Sequence, residues 1–181
     1  MQYNSRLFFA LITLLFLTSC QTEVKKELTI EDHRMEVEQY QKELFSAEYT
    51  ALDVFKADSM ILLYKSYAEE YPEDSMSIQY LFKAAEVQMG IDKDLDCIAT
   101  LSQIQNTYPD SKIIPMLLQF KAYVYDEKLH EYEKAIMIMD ELIENYPDDK
   151  LIPNAKAYRD MIGKDPQELF QRADSTQSIG S

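Results

Sequence analysis

One short motif returns three times at nearly constant spacing, and it commits this chain to a stack of similar units. Tyr-Pro followed by acidic or hydroxyl residues occurs at Tyr71-Pro72-Glu73-Asp74, Tyr108-Pro109-Asp110-Ser111 and Tyr146-Pro147-Asp148-Asp149, with the tyrosines 37 and 38 residues apart. Self-similarity at such a period marks a repeat array. The segment before each motif is amphipathic. The clearest is Tyr132, Ala135, Ile136, Met139, Leu142, Ile143 and Tyr146, whose spacing lies along one helical stripe. Cys97, Ile98, Leu101, Ile104 and Tyr108 repeat it one unit earlier, and Met60, Ile61, Tyr64, Tyr67 and Tyr71 one unit before that.

The intervening segments align as well. Leu81, Ala85 and Val87 stand 37 residues before Leu118, Ala122 and Val124. Beyond them the offset becomes 38, which predicts one extra residue in the loop Lys128-Leu129-His130-Glu131 relative to Gly90-Ile91-Asp92-Lys93-Asp94. Gly90 suits a helix C′ position. Each Pro ends one helix and introduces the next, and Asp74, Ser75, Asp110, Ser111 and Asp148 offer N-capping oxygens. With only 3 Gly and 6 Pro, a turn-rich β fold is excluded. The spacing predicts an all-α chain with helices near 30–46, 56–71, 76–89, 94–108, 112–127, 131–146, 151–162 and 166–173.

On these residues the sequence resembles the tetratricopeptide repeats, in the variant found in bacterial envelope lipoproteins whose repeats close with Tyr-Pro-Asp-Ser. The resemblance covers about 50–165 and implies a right-handed α-solenoid of helix–turn–helix repeats. It places Ala85 and Ala122 at the small position of the first helix, Cys97 and Ala135 at that of the second, and Pro109 and Pro147 at the repeat ends. Small residues there let paired helices approach. The chain departs from the family in having Leu81 or Leu118 for the early aromatic of the first helix, and Gln88 at one late Tyr position. As a whole, including Gly163-Lys164-Asp165-Pro166-Gln167-Glu168-Leu169, it also looks like repeat lipoproteins of the Bacteroidota. More distantly it is BamD-like, similar to the longer lipoprotein of outer-membrane-protein assembly.

The N-terminus reads as an address. Leu7 to Leu17 is apolar apart from Thr13 and reaches about 17 Å, too short for a hydrocarbon core of about 30 Å, so it has the size of a signal-peptide h-region. Leu17-Thr18-Ser19-Cys20 follows and resembles a lipobox. That resemblance implies cleavage before Cys20 and a diacylglycerol thioether on it. Two or more acyl chains hold a protein at a bilayer, which matters because a chain with 18 Lys+Arg against 32 Asp+Glu is repelled by anionic headgroups. Expected parts are a lipoprotein signal peptide over 1–19, a lipidated Cys and polar tether over 20–29, the repeat domain over 30–173 and a frayed tail over 174–181. Gln21 in place of Asp, and the lack of an acidic run after Cys20, suggest by analogy the outer membrane and its periplasmic face. With Cys20 lipidated, Cys97 has no intrachain disulfide partner.

The sequence carries few residues that point to chemistry. A net charge of −14 argues against nucleic acid, whose binders need clustered Lys and Arg. His33 and His130 read as solvated residues, and Cys97 as a small core residue. No Cys/His spacing suits zinc, and no phosphate loop or nucleophile elbow is present. Asp92-Lys93-Asp94-Leu95-Asp96 lacks the central Gly and distant Glu of a calcium loop. The acidic pairs sit at helix ends, where they favour the next N-terminus. No catalytic residue, cofactor or metal is therefore expected. The tyrosines Tyr64, Tyr67 and Tyr71 fit either helix packing or partner contact.

What remains is a surface. In a curved stack the first helix of each pair lines the concave side. The candidate partner-binding residues are Gln79, Phe82, Glu86 and Met89, then Met116, Gln119, Tyr123 and Asp126. This mixed apolar and acidic face suits an envelope protein or a peptide segment. The expected function is a membrane-anchored, non-catalytic interaction scaffold or adaptor of the cell envelope, of the kind used in outer-membrane assembly. The alternative is capture of a peptide or small ligand for an envelope enzyme or transporter.

Overall fold

The structure, a computed structural model, describes residues 29–45 and 53–164. The expected signal peptide, Cys20, most of the expected tether, the helix expected at 166–173 and the expected tail lie outside the described residues. Within them the chain is all-α: α1 (Ile30–Phe45), α2 (Val54–Glu70), α3 (Ser75–Gly90), α4 (Asp94–Thr107), α5 (Ile114–Tyr123), a π-helical turn (Val124–Lys128), α6 (Tyr132–Asn145) and α7 (Ile152–Met161). Each helix packs on its neighbours in chain order, which makes a helical-repeat solenoid.

The Tyr-Pro motif builds the same corner three times. Tyr71, Tyr108 and Tyr146 each end a helix with φ from −125° to −129° and ψ from 49° to 59°. The following Pro disfavours helical backbone at the Tyr, so the helix stops there. Each Tyr carbonyl then accepts a turn bond at 3.0 Å, from the N–H of Asp74, Ser111 and Asp149 in turn. Capping differs from the sequence expectation. Asp74 caps α3, its Oδ1 accepting from Met76 N at 2.7 Å. At the next two corners Ser111 and Asp149 support the turn instead, accepting from Ile113 N and Leu151 N. There Pro115 and Pro153 open α5 and α7, where a missing N–H costs nothing.

The apolar stripes bury as the register requires. Met60, Tyr64, Cys97, Leu101, Ile104, Ala135, Met139 and Leu142 are at most 1% exposed. Tyr64 and Tyr67 lie in the core, which decides the open choice for these two tyrosines. The Tyr80 ring stacks on Tyr64 at 5.4 Å and meets Tyr67 edge-on at 4.8 Å. Burial, followed by the nearby carboxylates Asp94 and Glu86, pushes the Cys97 thiol up to about 12, so it is an inert packing group. The core has two lobes that meet at α3. Tyr80, Ala84 and Val87 face α1 and α2, whereas Leu81 and Ala85 join the lobe built with α4 to α7.

Polar rungs tie each unit to the next. Tyr108 Oη donates to the Pro72 carbonyl at 2.8 Å, Gln105 Nε2 to Glu141 at 2.8 Å, and Lys128 Nζ to Asp92 at 2.7 Å. Among the described side-chain hydrogen bonds the longest reach is 42 residues, from Lys83 to Gln41, so the array is held by nearest-neighbour contacts. α1 follows the same rule. It buries Val37 and Leu44, and Arg34 clips it to the array by donating to Tyr67 Oη at 2.9 Å and to Asp74.

The extra residue of the second unit is not in the loop. Asp92 and His130 occupy the same loop position and share left-handed backbone, with φ of 58° and 53°. Gly90 is the last residue of α3, so the left-handed role expected of it falls to Asp92. The preceding helix ends differ. Ile91 N–H bonds to the Val87 carbonyl at 3.1 Å, an ordinary α-helical reach, whereas Leu129 N–H bonds to the equivalent Val124 carbonyl at 3.1 Å with one more residue between. The surplus is thus absorbed as the π-helical turn. The helix expected over 112–127 accordingly divides at Val124, and it starts at Ile114 because Ser111 to Ile113 form the turn.

Candidate functional site

The first helices of successive units stand side by side. Phe82 on α3 and Phe120 on α5 meet with ring centroids 5.6 Å apart, tilted by 50°. Along this side, equivalent positions pair as Gln79 with Met116, Phe82 with Gln119, and Glu86 with Tyr123. Gln79, Glu86, Met116 and Tyr123 are exposed, while Phe82, Met89 and Gln119 are half-buried. Seven of the eight sequence candidates therefore reach the surface on α3 and α5. The eighth does not. Asp126 sits in the π-helical turn, only 6% exposed, and its Oδ2 accepts from Tyr158 Oη at 2.7 Å. It is an internal tie between α5 and α7, not a groove residue.

The row runs further than the sequence candidates do. Adding the second offset of 38 to Met116, Gln119 and Tyr123 gives Asn154, Ala157 and Met161, all exposed on α7. That signal was present in the sequence, as was Phe120, one position beyond Gln119. The row is also electrostatically one-sided. Lys83 turns away to Gln41 and over the Tyr80 ring, and Lys121 is half-buried near Gln105, its ammonium lowered in pKa by desolvation. Among the described residues neither Glu86 nor Glu127 has an ion-pair partner. A second apolar set, Leu62 on α2, Leu95 on α4 and Met137 on α6, is about 70% exposed on the second helices.

The π-helical turn creates a cleft at the far end of the row. About 410 Å³ in volume, it is lined by Asp126, Glu127, His130, Tyr132, Met161 and Gly163, with Lys164 at its edge. His130 Nδ1 lies 3.2 Å from the Asp126 carbonyl, and its ring faces Tyr132 at 6.1 Å. Gly163 has φ of 70°, and a Cβ there would lie 2.9 Å from the Tyr132 ring, so no other residue fits without displacement. Burial, the hydrogen bond to Asp126 and the adjacent carboxylates push the Tyr158 phenol far above its ordinary pKa. The shift favours the protonated phenol, the form that donates to Asp126. Tyr158→Phe should lower stability by about 1–2 kcal/mol, because it leaves a mostly buried carboxylate without its donor. Denaturant unfolding checks this, with Tyr123→Phe on the exposed row expected to change nothing.

Among the described residues no group of three His, Cys, Asp or Glu side chains is gathered for a metal, and no helix is long and apolar enough to cross a membrane. The family model described as tetratricopeptide repeat matches residues 79–111, which take in most of α3 and all of α4, and residues 121–149, which take in the end of α5, the π-helical turn and α6. No curated protein matches the chain.

Proposed function

We propose, from the two tetratricopeptide repeats as premise, that this chain is a non-catalytic interaction scaffold or adaptor of the bacterial cell envelope. Its moorings are acyl chains on Cys20, and its repeats stand on the periplasmic side of the outer membrane, where outer-membrane assembly is the process it would serve. The observation that carries the binding role is the exposed row on α3, α5 and α7, where Met116, Tyr123 and Met161 stand open beside the unpaired Glu86. Flexible thioethers and rigid aromatic rings are effective partner contacts, and the rows of such side chains suit an extended or helical segment. The lipobox Leu17-Thr18-Ser19-Cys20 supports the anchoring.

In-cell photocrosslinking from position 116 or 123, followed by mass spectrometry, tests the reading. One envelope protein captured in stoichiometric yield from these positions, and not from 62 or 137, is the expected result. Capture from 62 and 137 alone would move the binding face to the second helices. Cys20→Ala should release the chain into the soluble envelope fraction, and retention in membranes would refute the lipid anchor. A second reading, capture of a small ligand for an envelope enzyme or transporter, is favoured by the cleft beside the π-helical turn.

A further inference from the structure

We infer that the outer face of the second helices is a self-association surface, on which a second copy of this chain docks about a two-fold axis running along Leu62, Ala99 and Met137. This face is separate from the exposed row on the first helices, so the inference goes beyond the scaffold reading and does not need it. Leu62 on α2, Ala99 on α4 and Met137 on α6 stand 37 and 38 residues apart, the repeat period, and so hold one register position. All three are exposed, Leu62 at 69% and Met137 at 70%. Polar rungs keep the second helices side by side: Lys93 Nζ reaches Asp58 at 2.6 Å, and Gln105 Nε2 donates to Glu141 at 2.8 Å. The three side chains therefore form a row, unlike the single exposed apolar residues of an ordinary surface.

The charge pattern on either side of the row selects a second copy as the occupant. In an isologous contact residue i meets j and j meets i. A two-fold axis along the row lays each helix antiparallel on its own copy, so a residue three or four before the row faces one three or four after it. Asp58 and Lys65 are so placed on α2, Asp96 and Gln103 on α4, and Lys134 and Glu141 on α6. The members of each pair share one side of their helix, within about 60° of the row position, at heights of about 5 Å below and above it. Each helix thus offers its copy an opposite charge, or an amide for a carboxylate. Among the described residues Lys65 has no ion-pair partner within its own chain. Glu133 faces Asp140 of the second copy, a carboxylate whose charge Arg159 offsets at 2.9 Å. The stack offers no comparable contact at its far end. The α7 positions equivalent to Leu118 and Ala122 are Lys156 and Asp160, both exposed, so α7 closes the described array with a polar face. Three apolar side chains make a narrow seam, in the class of transient interfaces below about 1,200 Å².

The test is crosslinking of the full chain in detergent micelles with a short bis-maleimide. Leu62→Cys, Ala99→Cys and Met137→Cys should each yield a covalent dimer, because a residue on the axis meets itself. Tyr123→Cys, open on the first helices, should stay at the level of the unsubstituted chain, which sets the background from Cys20 and Cys97. In the Ala99→Cys chain, Lys134→Glu should lower the dimer yield about fivefold, since the reversal acts at two symmetric contacts, and adding Glu141→Lys should restore it. Lys65→Glu, facing Asp58, is a second reversal with the same expected loss, and unchanged unfolding midpoints separate lost contact from lost fold. Equal dimer from Tyr123→Cys, dimer from only one row position, or a yield indifferent to both reversals would overturn the inference. Shielding of the row cysteines from a soluble maleimide only when phosphatidylcholine vesicles are present would give the face to a bilayer instead. Capture of a different protein by photocrosslinkers at 62 and 137 would give it to that partner; capture of the chain itself there, with a different protein at 116 and 123, supports both the self-association face and the scaffold reading.

Discussion

Leu118→Ala lowers the free energy of unfolding by about 2–5 kcal/mol, the range for removing a large aliphatic side chain from a site that cannot collapse. Leu118 is fully buried on α5, in the lobe it shares with Leu81, Leu101, Met139 and Leu142. These neighbours belong to α3, α4 and α6, so the cavity opens against three helices at once and none can relax alone. Denaturant unfolding measures the loss. Leu62→Ala on α2 is the matched control, because Leu62 is 69% exposed and its removal should stay within about 0.5 kcal/mol. The array structure adds a spatial expectation. With contacts confined to nearest neighbours, amide exchange should accelerate most in α4 to α6 and least in α1. Equal losses for Leu118 and Leu62 would mean that the helix faces are misassigned.

Ala122→Leu has the opposite chemistry and a comparable consequence, a loss of about 1–3 kcal/mol through overpacking. Ala122 is fully buried on α5 and Ala135 fully buried on α6, both in the same lobe, with Ala85 at the equivalent place on α3. Small residues there set the approach of paired helices, and the added isobutyl group has no space without moving a backbone. Ala99→Leu on the exposed face of α4 controls for helix propensity, in which the two residues differ little. A lowered midpoint for Ala122→Leu against an unchanged one for Ala99→Leu supports the register. The same midpoint for both would show that residue 122 is not the interhelical spacer.

The tetratricopeptide reading and the core were legible because both follow from period. The spacing from Tyr71 to Tyr108 to Tyr146 predicts three equivalent corners, and those corners share backbone angles and turn bonds. Met60, Cys97 and Ala135 share one register and are all fully buried. Exposure along Gln79, Glu86, Met116 and Tyr123 was readable for the same reason: a helix that buries one stripe leaves the opposite one outside.

Asp126 was not readable. Its number in the 37-residue register matches Met89 on the open row, and nothing in the local sequence marks the helix as underwound. The offset of 38 announced one surplus residue but could not locate it, because a loop ordinarily absorbs an insertion more cheaply than a helix does. Here the loop is fixed at both ends by the packing of α5 on α6, and Asp92 and His130 keep the same left-handed conformation in both units. The surplus is therefore driven into the helix, and the carboxylate swings inward to Tyr158, a partner 32 residues further on that only the packing of α7 supplies. Sequence alone determined the repeat, its helical stripes and its corners, since each is a local pattern of apolar spacing and Pro placement. Tertiary structure alone decided where the extra residue went and what cleft it made, since those depend on which distant helices hold the loop still.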